Sequence, residues 1–341
     1  MIQPSRALSK NTHHFASVCI VGAGAAGITL ACELDGAGFS VILLEASGVG
    51  RFERVSQDPY EGKANEPHPT PANFRRRAFG GSTTIWGGRC VPYDPIDFER
   101  RDYAPNSGWP ISYYEVARYY QKALSYCDAG NSDFAVETAL EHPHPTIPGL
   151  TGGDVDMSVI ERYSLPTDFG TRYRERLAQS ANVRVITQAH VLRLVKEKGA
   201  DRITAVEYVE RAGRAARVEA TAFVLATGGI ETPRLLLASD PTGKGFGNQS
   251  DCLGRYYTCH VENILGVLKP KRPGIPFDFE RTHDGVYGRR KLQIRPEAQR
   301  REGILNIAFR LHYPDVSDPS HGSPVLSAVY LSVAWGCGRT G

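Results

Sequence analysis

Residues 17–27 read SVCIVGAGAAG, and most of the fold follows from them. Residues 17–21 (SVCIV) form a short apolar run of strand length, which passes directly into Gly22-x-Gly24-x-x-Gly27. The following ITLACELDGAG places Ile28, Leu30, Ala31 and Leu34 on one helical face, and residues 39–45 (FSVILLE) form a second buried strand. Strand, tight turn, helix and strand within thirty residues make the first βαβ unit of a doubly wound sheet. In that context the glycines have separate jobs: Gly22 permits the turn, Gly24 lets a pyrophosphate approach the backbone, and Gly27 lets helix pack on strand. The helix start offers N–H donors and the positive end of a dipole. Glu45 closes the second strand, 18 residues past Gly27, where a carboxylate can accept from a ribose diol and disfavours a 2′-phosphate. The bland alternative is an incidental strand–helix turn.

Outward from this unit, composition narrows the class. At 341 residues the chain is long enough for two domains or one large one. Its 41% hydrophobic and 23% charged content is that of a soluble globular protein, and a net charge of +3 is too small to imply nucleic acid or an anionic membrane. Seven cysteines, at 19, 32, 90, 127, 252, 259 and 337, include no CxxC pair, which fits a reducing compartment better than a disulfide framework or a zinc site. No apolar run reaches the length of a signal peptide or of the ~20-residue membrane span, so a cytoplasmic protein is expected.

A second stretch, residues 79–90 (FGGSTTIWGGRC), puts two glycine pairs around three hydroxyl residues and a tryptophan. Glycine pairs cost backbone entropy. The segment is either a plain loop or a loop against which something flat and polar is laid. Residues 1–15 are expected to be a loose leader, and residues 46–78 mostly extended loop. Residues 112–126 form a helix with Ser112 as N-cap and Glu115 completing a capping box. Residues 128–156 lack periodicity and are expected to be loop; their HPHP at 142–145 holds both imidazoles in an extended segment, and no metal site is expected there. A further helix is expected over 167–181. Residues 183–187, 191–196, 203–209 and 217–221 alternate as strands of a meander with a turn at 211–213. Residues 222–228 (AFVLATG) form another apolar strand, and 304–311 and 325–334 suggest two more. There is no internal repeat.

The fingerprint alone does not separate FAD from NAD. Two features favour FAD: VLATG at 224–228 returns after a meander, and FGGSTTIWGG lies too far from the first βαβ unit to be a phosphate turn. With Glu45, the loop GGSTTIWGGRCVPYDPIDFERRDY, the phrase NSGWPISYYEVARYYQKA and the segment VLATGGIETPRLLLAS, the chain resembles the glucose–methanol–choline (GMC) flavoprotein oxidoreductases from about residue 17 to 260. The resemblance implies an α/β fold: a Rossmann-like FAD-binding domain with parallel sheet and β-meander (residues 16–105 and 155–260), beside an incomplete α+β substrate domain (106–154 and 261–341). It implies that Gly22, Gly24 and Gly27 hold the FAD pyrophosphate and Glu45 the adenosine ribose. Gly80, Gly81, Ser82 and Thr83 run beside the pyrophosphate and flavin, with Trp86 and Gly87 continuing that wall. Val191 matches the position whose backbone meets adenine. Ala226, Thr227 and Gly228 close over the dinucleotide, with Thr232-Pro233 starting the next helix.

Some sugar-oxidising relatives carry STHW, with the histidine bonded to the flavin; here the residue is Ile85, expected to be buried, so FAD is expected to be non-covalent. Residues 75–77 (RRR) are either a solvated charge run or supply an arginine to the FAD phosphates or a substrate anion. His260 matches a position where the family often has histidine, with a structural role expected, and His321 reads as a turn residue. The resemblance implies oxidation of a CH–OH group of a sugar, polyol or related alcohol, with hydride passing to flavin N5 and an unspecified electron acceptor. The histidine base the family uses is not recognisable, so its identity stays unknown. The closing AWGCGRTG looks like a premature end or shifted reading frame. Residues 1–341 alone are therefore expected to be poorly active, and the alternative is an FAD-binding remnant or partner subunit.

Overall fold

The computed structural model describes residues 1–7, 13–50, 54–66, 68–150, 153–199, 201–210, 213–269, 271, 275–276, 278–312 and 324–337. Its strands, in chain order, are β1 (Ile2–Pro4), β2 (His13–Val21), β3 (Val41–Leu44), β4 (Arg89–Cys90), β5 (Val155–Tyr163), β6 (Val183–Thr187), β7 (Ala189–Lys196), β8 (Ile203–Glu210), β9 (Ala215–Leu225), β10 (Glu280–Arg281), β11 (Tyr287–Ile294) and β12 (Ala308–Phe309). They belong to two compact units, Met1–Gly88 with Pro166–Cys259, and Arg89–Leu165 with His260–Gly341. Residues 89–105 and 155–165, assigned above to the first domain, fall in the second unit because β4 pairs with β5.

The first unit is α/β. Its seven-stranded sheet runs β1-β6-β3-β2-β9-β8-β7. The pairs from β1 to β9 are parallel, and β9-β8-β7 is an antiparallel meander. The parallel strands read as continuous apolar runs because both their faces are covered: Cys19, Ile20, Leu43, Val185 and Ile186 have no exposed surface. Residues 217–221 and 222–225 are one strand, not two. β9 pairs antiparallel with β8 through its first half and parallel with β2 from Arg217 to Leu225, so two neighbours with different requirements share it. Residues 183–187, expected in the meander, instead lie parallel to β3. Residues 211 and 212 of the expected turn are outside the described residues; Gly213 has φ +81°.

The leader is not loose where it is described. Ile2, Gln3 and Pro4 pair parallel with Val185, Ile186 and Thr187, and the Met1 ammonium donates to the Leu177 and Val183 carbonyls at 3.1 Å each. Three residues carry no period to read. Residues 46–78 include a 3-10 helix, Arg54–Tyr60, and a helical turn, Pro71–Phe74, between irregular segments. The helix expected over 167–181 is two pieces, Phe169–Arg172, capped by Asp168 on the Gly170 and Thr171 amides, and Arg174–Gln179. Helix Gly228–Ser239 starts ahead of Thr232-Pro233 and contains Pro233. Pro233 is the sixth residue of that helix, past the unpaired first-turn amides, so its missing N–H leaves the Gly229 carbonyl without an i→i−4 bond.

The second unit holds an antiparallel sheet, β10-β11-β5-β4, with β12 on β11. Sequence reasoning missed β5 and β11 because both bury charge. Glu161, Arg162, Arg290 and Lys291 are at most 6% exposed, which erases the apolar/polar alternation. Arg290 pairs with Glu280, while Arg162 pairs with Asp284 and donates to the Ala129 and Asp133 carbonyls at 3.0 and 2.6 Å. The capping box at Ser112 and Glu115 forms as expected, but the helix behind it breaks into Tyr113–Ala117 and Tyr120–Tyr126. Residues 128–156 are not all loop: Val136–Ala139 is a helical turn, and β5 begins at Val155. Of 304–311 only β12 is strand. Residues 325–334 lie within a helix, Pro324–Cys337, where an unbroken apolar run is compatible with either element and its length favours helix. His321 lies outside the described residues. Among the described residues no helix is long and apolar enough to cross a membrane.

Candidate functional site

At the carboxyl end of β2, Gly22 turns at φ +101°, and a Cβ there would meet the Ala226 carbonyl oxygen at 2.7 Å. Helix Ala25–Glu33 begins immediately, with Gly24 as an N-cap and no side chain on its first-turn amides. A Cβ on Gly27 would lie 1.9 Å from the Gly22 oxygen, so glycine is obligatory for this helix to rest on the turn.

The second glycine-rich loop packs straight onto the first. The Gly80 amide donates to the Ala23 carbonyl at 2.8 Å, and a Cβ on Gly81 (φ +59°) would sit 2.7 Å from the Gly24 Cα. Gly80 (φ +105°) has the Asp168 carboxylate and the Gly170 amide at 2.7 Å from its Cβ position. The first glycine pair is therefore required by two close backbone approaches. The hydroxyls stabilise the loop itself: Thr83 Oγ1 donates to the Gly80 carbonyl at 2.6 Å, and Thr84 Oγ1 to the Gly81 carbonyl at 2.8 Å. Trp86 donates its indole N–H to the Thr167 carbonyl at 3.0 Å. Ile85 beside it is 41% exposed, against the expectation that it is buried.

Between these loops and β9 lies a cleft of about 940 Å³ in the first unit. Of the expected residues, Gly22, Gly24, Glu45, Gly81, Ser82, Thr83, Trp86, Val191, Ala226, Thr227 and Gly228 line it. Gly27 and Gly80 stand behind the wall as packing positions, and Gly87 is exposed and off the lining.

Glu45 is 5% exposed. Its Oε1 accepts from the Ser47 amide and hydroxyl, both at 2.8 Å, and its Oε2 from the Ala23 amide at 3.0 Å. Burial pushes its carboxyl above the usual range, opposed by those bonds. Oε2 keeps acceptor capacity for one more donor.

The arginine run is built into the site. Arg75 bonds Glu231 at 2.6 Å and lies over the Tyr60 ring at 4.1 Å, and Arg234 bonds the other Glu231 oxygen at 2.5 Å. Arg77 donates to Nδ1 of His190 at 2.5 Å. Burial, and then the charges of Arg77 and Arg234, depress His190 to about 4, so it is a neutral acceptor at pH 7. Among the described residues, the charged lining is Arg75, Arg76, Arg77 and Arg234 against Glu45 and Glu231. An excess of guanidinium beside uncapped amides fits a diphosphate. Sequence reasoning missed His190, Tyr60 and Glu231. Only Glu231 carried a signal, an i,i+3 partner in Arg234.

The GMC oxidoreductase family profile matches residues 171–262. The chain is 26% identical over 316 residues to 2-methyl-1,2-propanediol dehydrogenase of Mycolicibacterium austroafricanum, covering 74% of this chain and 56% of that protein. It is 24% identical over 369 residues to the fructose dehydrogenase large subunit of Gluconobacter japonicus, covering 86% and 65%. Among solved structures, pyridoxine 4-oxidase from Mesorbium loti aligns with a TM-score of 0.42 at 20% identity, covering 66% of this chain and 52% of that one. The chain thus spans between 56% and 65% of the length of these two curated relatives.

Proposed function

We propose, from the premise that the chain belongs to the GMC oxidoreductase family, that its first unit binds FAD in this cleft for oxidation of a CH–OH group of a sugar, polyol or related alcohol. The observation that carries the reading is the backbone contact of Gly24 with Gly81, which presents an uncapped helix start and a glycine-lined wall to one cavity. Two relatives are dehydrogenases of a diol and of fructose by name, which supports an alcohol substrate.

In this reading, Gly22, Gly24 and the first-turn amides hold the diphosphate, helped by the arginine row. Oε2 of Glu45 accepts from the adenosine ribose, and the Val191 backbone meets adenine. Ala226, Thr227 and Gly228 close over the dinucleotide, while Gly81, Ser82, Thr83 and Trp86 face the flavin portion. FAD, when bound, supplies a two-electron acceptor for the hydride leaving the alcohol carbon. It is held non-covalently, since Ile85 has no nucleophilic atom. Among the described residues, His190 is the histidine lining the cleft, and its Nδ1 is engaged by Arg77. That observation favours, as a second reading, a flavin-binding unit without turnover of its own.

One preparation tests both. Acid precipitation of the flavin-loaded protein is expected to release all yellow colour to the supernatant; colour in the pellet contradicts non-covalent binding. Anaerobic mixing with sugars and polyols then separates the readings, because bleaching of the flavin band near ~450 nm requires a working base.

Glu45→Gln is expected to weaken FAD binding by roughly ten- to a hundredfold, the loss of a charge-assisted bond of ~1.5–3 kcal/mol. Glutamine must also place an NH₂ group against either the Ala23 or the Ser47 donors, loosening the turn. A fluorescence titration giving an unchanged Kd would remove Glu45 from the site.

A further inference from the structure

Two cysteines far apart in sequence are brought together in the second unit. Cys90, on β4, stands in register opposite Arg162 of β5. Cys127 caps the C-terminal end of helix Tyr120–Tyr126, its amide bonded to the Ala123 and Ser125 carbonyls. The chain then turns through Asp128 (φ +49°), and Ala129 donates to the Leu124 carbonyl at 2.9 Å. The fully buried Arg162 fastens this turn to the sheet by donating to the Ala129 carbonyl at 3.0 Å. Arg162 thus links the two segments, its backbone in register with Cys90 and its guanidinium on the turn that follows Cys127. Neither cysteine is in a disulfide, both are half-buried, and the two thiols lie within hydrogen-bonding reach of each other.

We propose that Cys90 and Cys127 form a peroxide-sensitive dithiol, in which hydrogen peroxide oxidises Cys90 and Cys127 closes on it as a disulfide. The Cys90 thiolate attacks one peroxide oxygen: an S–O bond forms, the O–O bond breaks, and the departing hydroxide takes a proton to leave as water. Cys127, losing its proton, attacks the Cys90 sulfur, forming S–S and breaking S–O, and a second water leaves. Two thiols and one peroxide give one disulfide and two waters, a two-electron change. The roles follow from the hydrogen bond between the thiols. The bond to Cys127, joined by the Ser164 amide and opposed by burial, lowers Cys90, while that same bond, then burial, raises Cys127. Buried Cys19 is unsuited to such chemistry, since burial pushes its thiol up to about 12.

This inference is independent of the flavin reading. The test uses the full chain, reduced, desalted and treated with one to ten equivalents of hydrogen peroxide, then alkylated and digested without reductant for mass spectrometry. The expected product is a crosslink between the peptides holding Cys90 and Cys127, about 2 Da lighter than their sum and reversed by dithiothreitol. The melting temperature of the oxidised protein is expected to rise by roughly 5–10 °C, because the bond closes a long loop. Cys127→Ser should leave Cys90 as a sulfenic acid that dimedone traps. Full alkylation of Cys90 and Cys127 at a dose that oxidises the exposed Cys252 and Cys259 would overturn the proposal, as would a disulfide from Cys90 to any other cysteine.

Discussion

Gly24→Val is expected to abolish FAD binding while leaving the fold in place. The protein side has room: the nearest atom to a Cβ at residue 24 is the Gly81 Cα at 3.8 Å, an ordinary van der Waals contact. The backbone is permissive too, at φ −84°, ψ −169°. The isopropyl group therefore has one costly neighbour, a ligand seated on the helix start. Losing two charge-assisted bonds of ~1.5–3 kcal/mol each raises the Kd by about 10²–10⁴-fold. Gly27→Val gives the contrasting result. Its Cβ would lie 1.9 Å from the Gly22 oxygen, so helix and strand separate and the unit fails to fold, with or without flavin. Flavin content measured beside far-ultraviolet circular dichroism distinguishes the two. Stoichiometric flavin in a folded Gly24→Val protein would show that the turn is incidental.

The second large effect is expected at Arg162→Met. Methionine fills much of the volume, but strips Asp284 of its cation and leaves the Ala129 and Asp133 carbonyls without their donor. Breaking a buried pair costs about 3–5 kcal/mol. The lower figure applies because the Asp284 side chain keeps 24% exposure. The melting temperature is expected to drop by roughly 6–12 °C. Burial alone would raise the Asp284 carboxyl; bonds from Thr282, Asn131 and Arg162 outweigh it and hold it below its ordinary value. A depressed carboxylate contributes fully above the unfolded value near ~4 and loses its contribution as pH falls through the lower folded one. The gap between wild type and variant should therefore narrow at pH 3. A variant melting like the wild type at pH 7 would show that this arginine holds nothing.

The first βαβ unit was legible because each of its signals is local: an apolar run, three glycines at fixed spacing, an acidic residue after the second strand. The second unit was not. Arg162 looks like a surface residue until Asp284, 122 positions away, is folded beside it, and Arg290 until the β10–β11 hairpin brings Glu280 back against it from ten positions earlier. Ile85 misled for a related reason, since apolar character alone does not say which side of an irregular loop faces solvent. Pro324–Cys337 is apolar on every face, which leaves periodicity nothing to measure. Within the cleft, Glu45 was readable as a ribose acceptor but not as the anchor of the Ala23 turn. His190 was hidden by being one residue from Val191, in a strand whose partner Arg77 arrives from a distant loop.

The sharing of β9 has a consequence for synthesis on the ribosome. Parallel strands cannot be joined by a tight hairpin, and although β2 can pair with β3 across the intervening helix, both emerge about 180 residues before the far end of β9, the other neighbour of β2. At roughly 5–20 residues per second, the nascent chain carries Cys19–Val21 and its apolar neighbours without their central partner for about ten to forty seconds. The meander can zip locally, but it cannot shield β2 until β9 is out. Translation speed and chaperone supply, rather than final stability, should thus govern how much of this protein reaches its native state in a host cell.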